Sequence, residues 1–495
     1  MNLTNKPFEK LARGSYYLIL SNLTNLTIGA LFWIILAKMV DPAALGEAMV
    51  VIALATSVIG FAGYGVQVMV SKYMAEYIAR DMPNTSRNVL KLGIKIGVIV
   101  AGSAAVSIAL LSEQIATMAY NNPSLSTLLI VAVLIYLPSQ TIITTLRGAF
   151  IGTHRTQYHF VTHLIHEIAK LGIAVTLVLY GLSSFGILVG FSVASLIVLT
   201  VGFVYLVPRV LPKPTERLET TRGVRHMVKF SGLNYSAVGM RTLSAQIGVV
   251  ILGTLSFEWA AFYGLSVLIS TVVGGVLIAV SKAIVPTASE QWAKGNKKEF
   301  SSVFNTAVRL SLLISGFGFL ILMIDPSYVL SLISKSYAEA SSALRILVLS
   351  SIISSIGAII ISMLNAAGRP TEVARIGLIS SAITITLTFV LAPTIGLIGA
   401  AIAMLLGSIS SLSLSVVTLK RKEQVSLSIR SVMKPTISII VGLIFGYSLF
   451  ILSNNVILSI VLSVLSYAGF SLMYRATTQA ELKSILSLVL RTTRS

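Results

Sequence analysis

The sequence predicts an all-α polytopic membrane protein with about 14 transmembrane helices. Of its 495 residues, 55% are hydrophobic and only 11% are charged, and the mean hydropathy is +0.90. Apolar stretches of about 20 residues, long enough to cross a hydrocarbon core of roughly 30 Å as a helix, recur from end to end. Backbone groups in lipid must be hydrogen-bonded within their own segment, so such stretches favour helices over the shorter, alternating strands of a membrane barrel.

The apolar stretches follow one another along the chain with mostly short connections. The first comes after a basic N-terminus, but its length and the lack of a small-residue cleavage site favour a spanning helix over a signal peptide. The fourteen predicted helices begin near Ser15, Ala44, Asn88, Thr127, Gln157, Ser184, Phe230, Trp259, Phe304, Ser342, Val373, Ile395, Pro435 and Val456.

The basic residues predict the orientation of these helices, because Lys and Arg accumulate in cytoplasmic loops. With the N-terminus inside, 31 of the 37 basic residues fall in inner segments, Arg147 and Arg155 among them, whereas Lys38 and Lys335 fall in outer loops. Both termini are therefore expected on the cytoplasmic side of the cell membrane. The net charge of +20 follows mostly from this distribution, with attraction to anionic lipid headgroups as a second consequence, and does not indicate nucleic-acid binding.

The chain repeats itself. Gly14 and Gly46, which precede or open the first two helices, recur 218 residues later as Gly232 and Gly264. A second offset, 214, relates Glu76 to Glu290 and Gly102 to Gly316. Two copies of a six-helix unit in the same orientation predict a pseudo-twofold axis along the membrane normal, and transporters place substrate at such repeat interfaces.

The repeat predicts the domain organisation. Two six-helix lobes are joined by a polar linker and followed by two further helices, and the apolar positions of 482–490 predict an amphipathic cytoplasmic tail. The predicted segments are lobe 1–207, linker 208–229, lobe 230–418, cytoplasmic loop 419–434, two additional helices 435–475 and tail 476–495.

Four stretches carry a resemblance to a known family. The chain resembles, over essentially its whole length, polysaccharide flippases of the O-antigen type, within the multidrug/oligosaccharidyl-lipid/polysaccharide exporter superfamily. The resemblance implies a two-lobed, V-shaped bundle that turns a lipid-linked sugar across the membrane by alternating access. The motifs are glycine and proline patterns, so they specify the fold better than the substrate. The stretches are GSYYLILSNLTNLTIGALFWIILAK (14–38), GYGVQVMVSKYMAE (63–76), LNAAGRPTEVARIGLISSAITITL (364–387) and GLIGAAIA (396–403).

Arg241 is the first candidate for a functional residue, because it lies near the middle of an apolar stretch without any acidic residue, 230–257. A charged side chain at bilayer depth costs about 3 kcal/mol on insertion scales and usually faces a watery cavity. Helical spacing places Asn234 and Ser244 on the same face. This face is expected to bind a phosphate or pyrophosphate through the planar guanidinium, or else Arg241 has a buried structural role, paired with Glu167 or with a helix-end carbonyl.

The predicted fifth helix carries a second group of polar residues within about a 100° arc. Lys170 is a candidate substrate ligand, and His163, His166 and Glu167 are candidates for proton coupling, because histidine titrates near neutral pH. His159 lies on the same arc. Alternatively, Glu167 and Lys170 neutralise one another, and the histidines near the helix end meet headgroups and water.

Each of the remaining embedded polar residues allows two interpretations, one structural and one functional. Lys282 and Arg345 lie near helix ends, where they can snorkel, or they extend a basic track along the transport path. Asn22 and Asn25 share a stripe of the first helix that suits either a sugar-contacting wall or interhelical hydrogen bonds.

Several function classes can be excluded or given little weight. The chain has no cysteine, which excludes disulfides and thiolate metal sites, and it lacks the GxxxxGK[ST] phosphate loop of ATP-driven transport. No metal or cofactor is expected. A membrane glycosyltransferase or polymerase would need a carboxylate constellation on a sizeable outer loop, and a drug exporter of the same fold would be expected to offer embedded carboxylates for organic cations.

The combined expectation is a non-enzymatic flippase for a polyprenyl- or dolichyl-(pyro)phosphate-linked oligosaccharide. Its partners are the lipid-linked substrate, membrane lipids and, in the assembly of the polysaccharide, glycosyltransferases. A gradient-coupled exporter of drugs or other small solutes is the alternative.

Overall fold

The structure, a computed structural model, describes residues 6–211, 224–425 and 427–474. The side chains of 6–15, 224–235, 276–280, 282–283 and 286 lie outside this description. The predicted tail 476–495 and most of the predicted linker 208–229 therefore lie outside the described residues as well.

The described residues are helical almost throughout, and thirteen helical segments are long and apolar enough to cross a membrane. One of them, Pro370–Glu423, consists of two helices separated by a break, which confirms the prediction of about fourteen. The helices are α1 Lys6–Met39, α2 Pro42–Ala79, α3 Pro83–Leu110, α4 Leu125–Gly152, α5 Thr156–Leu179, α6 Ser183–Val210, α7 Val224–Leu255, α8 Phe257–Ala283, α9 Lys297–Ile324, α10 Ser341–Ala366, α11 370–394, α12 397–423, α13 Ile429–Ser453 and α14 Val456–Met473.

The break between α11 and α12 falls at Ile395 and Gly396. Gly396 has φ +59° and ψ −136°, a combination that only glycine adopts without strain, and Ile395 leaves helical geometry at φ −130°. A Cβ at Gly396 would lie 3.0 Å from Cζ3 of the Trp259 ring, so the residue also has little room for a side chain. The predicted start of a helix near Ile395 is confirmed.

Three of the long helices contain a π-helical turn, Gly60–Tyr64 in α2, Ala132–Tyr136 in α4 and Gly202–Leu206 in α6. Each adds one residue to a turn without ending the helix. These turns have no equivalent in the sequence prediction, because hydrophobic length does not report local winding.

The chain divides into two compact units. The first comprises 1–269 with 370–411, and the second comprises 270–369 with 412–495. The first unit thus contains α1–α7, the first half of α8, α11 and most of α12. The six-helix lobes inferred from the sequence repeat follow different boundaries and stay a prediction.

Within the first unit, α2 packs in antiparallel direction against α7 and the first residue of α8, along a glycine seam formed by Gly46, Gly60, Gly239 and Gly253. A Cβ on Gly46 would overlap the carbonyl of Phe257, and one on Gly253 would overlap the side chain of Val50. Further along, Gly60 faces Thr242 and Gly239 faces the Phe61 ring. From residue 46 to residue 61 the contact runs for about 22 Å of helix. Small residues allow this close approach in the membrane, where association depends on packing.

Glu47 ties the N-terminal end of α2 to two connections of the same unit. Its carboxylate accepts hydrogen bonds from Asn122 Nδ2 at 2.8 Å and from Ser184 Oγ at 2.9 Å. Each oxygen of the Glu47 carboxylate thus has a hydrogen-bond partner.

In the second unit, α13 and α14 form a hairpin against α9. The Tyr467 hydroxyl donates to the Leu313 carbonyl at 2.7 Å, and Ser463 Oγ donates to the Gly442 carbonyl at 2.7 Å. Arg369 Nε donates to the buried Glu423 carboxylate at 2.8 Å, which joins the start of α11 to the end of α12. Hydroxyl-to-backbone bonds of this kind satisfy polar groups where no water reaches.

Candidate functional site

Arg241 is the sixth of the twenty residues in the described apolar part of α7, Ser236–Leu255, and its side chain is exposed. Its methylene stem runs along the backbone of α11. A Cβ placed on Gly377 would lie 3.3 Å from Arg241 Cδ and 3.6 Å from Cγ. The stem therefore packs on α11, whereas the guanidinium is exposed and can contact a ligand beside the helix.

Ser244, one turn further along α7, links the same two helices. Its hydroxyl donates to the Arg241 carbonyl at 2.9 Å and lies 3.3 Å from the Ser381 hydroxyl on α11. Ser244 thus joins α7 to α11 next to Arg241. Its predicted role as a substrate ligand stays a prediction.

Among the residues that the structure describes, no acidic side chain pairs with Arg241. The sequence left open an ion pair with Glu167, but Glu167 is engaged elsewhere: its Oε2 accepts a hydrogen bond from Lys170 Nζ at 2.6 Å. The alternative of an Arg241–Glu167 pair is therefore wrong for this structure. An exposed guanidinium in an apolar span, without a carboxylate partner among these residues, can bind an anion, and for Arg241 this role stays a prediction.

Lys170 and Glu167 form a buried pair on α5, each about 4% exposed. The Glu167 Oε1 atom lies 3.5 Å from His166 Nδ1, and His166 Nε2 lies 3.3 Å from Ser195 Oγ on α6. The ion pair between Glu167 and Lys170 that the second interpretation expected is present. Their predicted roles in substrate binding and coupling stay predictions.

Aromatic rings of α1 and α6 enclose the Lys170 ammonium. Its Nζ lies 4.6 Å from the centroid of Phe32 and 4.9 Å from that of Phe191, and cation–π attraction of this kind is strongest where water is excluded. Gly29 on α1 faces the same pair, since a Cβ there would lie 3.7 Å from Glu167 Oε2. The charged pair thus lies within the packing of α1 on α5.

The two histidines nearer the start of α5 stack on each other. The ring centroids of His159 and His163 lie 4.9 Å apart, and His159 Nδ1 is 3.2 Å from Ser21 Oγ on α1. The predicted histidine stripe is therefore continuous from His159 to His166, but it faces α1 and α6.

Arg147 is a buried cation that the sequence analysis missed. It was assigned to an inner loop, yet it lies on α4 and is only 3% exposed. Its Nε and Nη2 atoms donate to the Thr162 hydroxyl at 3.3 Å and the Thr162 carbonyl at 3.2 Å. Its position within a turn and a half of Gly152, the end of α4, made it look like a flanking loop residue, and only the packing of α5 against it reveals its burial.

Of the other predicted site residues, the structure describes the side chains of Asn22, Asn25 and Arg345. Asn22 donates to the Leu18 carbonyl of its own helix at 2.7 Å, whereas Asn25 is exposed. Arg345 is exposed on α10, in the second unit. The side chains of Asn234 and Lys282 lie outside the described residues.

Solved structures with a similar fold are all membrane transporters. A lipid II flippase, MurJ, in an inward closed conformation has a TM-score of 0.74 at 14% sequence identity, covering 92% of this chain and 98% of that one. A transporter of the multidrug/oligosaccharidyl-lipid/polysaccharide exporter superfamily from Pyrococcus furiosus has a TM-score of 0.60 at 14% identity, covering 84% of this chain and 96% of that one. The chain therefore shares the fold of these solved proteins.

Family comparison narrows the class. Residues 11–292 match the polysaccharide biosynthesis protein family, and residues 239–390 match the MatE family. The first match spans more than half of the chain, and the chain belongs to the polysaccharide biosynthesis protein family.

Two archaeal relatives are similar at low identity. A membrane protein of Methanocaldococcus jannaschii is 25% identical over 423 residues, which are 83% of this chain and 98% of that protein. A probable low-salt glycan biosynthesis flippase, Agl15, of Haloferax volcanii is 25% identical over 217 residues, which are 43% of this chain and 46% of the flippase.

Proposed function

We propose that the protein is a flippase that moves a polyprenyl- or dolichyl-(pyro)phosphate-linked oligosaccharide across the cytoplasmic membrane by alternating access. The single observation that carries the proposal is the exposed Arg241 guanidinium at membrane depth, which no acidic side chain of the described residues neutralises. The family membership and the similarity to a glycan biosynthesis flippase support it.

The chemistry of the site favours an anionic substrate. A guanidinium presents a planar fork of donors that matches two oxygens of a phosphate, and charge-assisted bonds of this type are about twice as strong as neutral ones. The cost of keeping Arg241 charged in the membrane is offset when a phosphate lies on it, while the hydrocarbon tail of the substrate stays in lipid. The oligosaccharide then crosses in the space next to α7.

A drug exporter is the second candidate function. The match of residues 239–390 to the MatE family is the observation that favours it. An organic cation would need an accessible carboxylate within the membrane. Glu167, the one acid that the sequence predicts there, is buried and bonded to Lys170. Charge complementarity therefore favours the phosphate-linked substrate.

The cellular setting is part of the proposal. The protein lies in the plasma membrane with both termini in the cytoplasm, and it receives its substrate from membrane glycosyltransferases without itself forming or breaking a bond. The orientation in this proposal rests on the distribution of basic residues.

The deciding experiment is translocation of a fluorescent polyprenyl-phosphate-linked sugar by the full chain in reconstituted vesicles. Arg241→Ala removes a hydrogen-bonded charge and should slow translocation by about 10- to 100-fold, whereas Arg241→Lys should retain part of the rate because the charge remains. Arg375→Ala is the control, since Arg375 is exposed on α11 and pairs only loosely, at 3.5 Å, with Glu372. Wild-type translocation by Arg241→Ala would refute the proposal.

The same vesicles test the predicted coupling through His163, His166 and Glu167. A pH gradient imposed across the vesicle membrane should change the rate of translocation if protons are coupled to transport. Equal rates with and without the gradient would remove the coupling hypothesis and leave the Arg241 proposal intact.

A further inference from the structure

We propose that Gly377 on α11 is a positioning residue of the Arg241 site. The absence of a side chain at this position lets the arginine stem lie flat on α11, and this sets where the guanidinium meets the substrate phosphate. The inference rests on the proposed function, because it assigns a second helix to the same anion site.

The contact between Gly377 and Arg241 involves the stem and not the charged head. The nearest atoms to a Cβ at position 377 are Arg241 Cδ at 3.3 Å, Arg241 Cγ at 3.6 Å and Ala237 Cβ at 4.0 Å. Gly377 itself is buried, whereas Arg241 is exposed. The backbone of α11 therefore forms a surface on which the methylene groups rest, and the guanidinium extends beyond it.

A second contact fixes the register of the two helices next to this one. Ser244 and Ser381 lie with their hydroxyl groups 3.3 Å apart, one turn beyond Arg241 on α7 and one turn beyond Gly377 on α11. Because the two contacts advance together along both sequences, α7 and α11 run in the same direction here. Two helices, α7 and α11, thus form the surface on which Arg241 lies.

A methyl group at position 377 would be accommodated only by movement of the arginine stem. A Cβ at 3.3 Å is closer than carbon atoms ordinarily approach, about 3.5–4.0 Å, so the stem must shift by a few tenths of an ångström. A branched side chain would displace it further. Since glycine is a poor helix former compared with alanine, the same change should leave the helix as stable as before or more so.

The test uses the full chain in vesicles with the fluorescent polyprenyl-phosphate-linked sugar. Gly377→Ala should raise the KM for this substrate about 3- to 10-fold with kcat little changed, and Gly377→Val should raise it further, as displacement of a binding group predicts. The melting temperature of Gly377→Ala should equal or exceed that of the wild type. Gly102→Ala is the matched control, because a Cβ on Gly102, in α3, meets nothing within 4 Å.

A double-mutant cycle separates positioning from a general structural role. In an Arg241→Ala background, Gly377→Ala should cause no further loss, because the group that it displaces has been removed. The same loss in both backgrounds would overturn the inference, and so would a wild-type KM for Gly377→Ala.

The folding and melting temperatures of the Gly377 variants provide a further test of the positioning role. If Gly377→Val does not reach the membrane, the alanine variant carries the test. A melting temperature of Gly377→Ala several degrees below that of Gly102→Ala would mark a structural role and overturn the inference. Failure of the proposed function is distinct, since it requires wild-type translocation by Arg241→Ala alone.

Discussion

Two cations at membrane depth have opposite surroundings in this protein. Arg241 is exposed and has no acidic partner among the described residues, whereas Lys170 is buried, bonded to Glu167 and enclosed by two phenylalanine rings. The sequence identified both residues because charge in an apolar stretch is conspicuous. It could not rank them, since the difference lies in the packing of α1 and α6 around α5.

The buried pair yields a prediction about stability. Lys170→Ala leaves the Glu167 carboxylate without its ammonium partner, and removing one member of a buried pair costs about 3–5 kcal/mol. We expect a correspondingly large loss in the free energy of unfolding, measured by thermal denaturation of the purified protein in detergent. Lys294→Ala, which breaks an exposed pair with Glu290 on the surface, should cost less than about 1 kcal/mol. Equal melting temperatures for the two variants would contradict this account.

At the scale of helices, hydrophobic length was sufficient to place the membrane spans. Their starts, including the one near Ile395 that follows the break at Gly396, agree with the sequence prediction within about five residues, except for α1, α7, α9 and α13, which begin six to nine residues earlier. The glycine seam between α2 and α7 was beyond the sequence, because the repeat related Gly46 to Gly264 and gave no indication that Gly46 contacts Phe257. Contacts between helices distant in sequence depend on register, which no local pattern specifies.

The seam leads to a prediction about motion. A Cβ on Gly253 would lie 3.5 Å from the Val50 Cβ, a separation that a disulfide spans. In this cysteine-free chain, oxidation of Val50→Cys/Gly253→Cys should therefore crosslink α2 to α7. If alternating access separates these helices, the crosslinked protein should lose translocation and regain it on reduction.

A second pair serves as the control for the crosslink. Gly274→Cys and Ser351→Cys would join α8 to α10, where the corresponding Cβ separation is 3.4 Å. Both helices belong to the same predicted lobe, so this crosslink should form without stopping translocation. Full activity of the oxidised Val50–Gly253 variant would show that the seam stays closed during transport.

For the whole molecule, the sequence predicted the all-helical class from composition and span length, and the family from a resemblance carried by glycine and proline motifs. These properties can be identified in the sequence without knowledge of the tertiary contacts. The site was predicted in part: Arg241 was identified, whereas Gly377 and Ser381 were not, because they lie more than 130 residues away in sequence and carry no charge. Arg147 was missed for a related reason, since its burial depends on α5.

The orientation of the whole molecule remains a prediction that labelling can check. Because the sequence contains no cysteine, a single introduced thiol reports its own side of the membrane. Glu113 and Lys298 are both exposed. Glu113→Cys should react with an impermeant maleimide in intact cells, and Lys298→Cys only after the membrane is opened. The reverse pattern would place both termini outside.

The π-helical turn at Gly60–Tyr64 bears on how the length of α2 can vary. Such a turn holds one residue more than an α-helical turn, so deletion of a single residue within it can restore ordinary winding without breaking the helix. Because the π turn accommodates one extra residue, the half of α2 beyond it would then keep nearly the same orientation relative to the half before it. A one-residue deletion here would therefore preserve the face that bears Lys72 and Glu76, whereas a deletion within an ordinary α-helical turn rotates everything beyond it by about 100°.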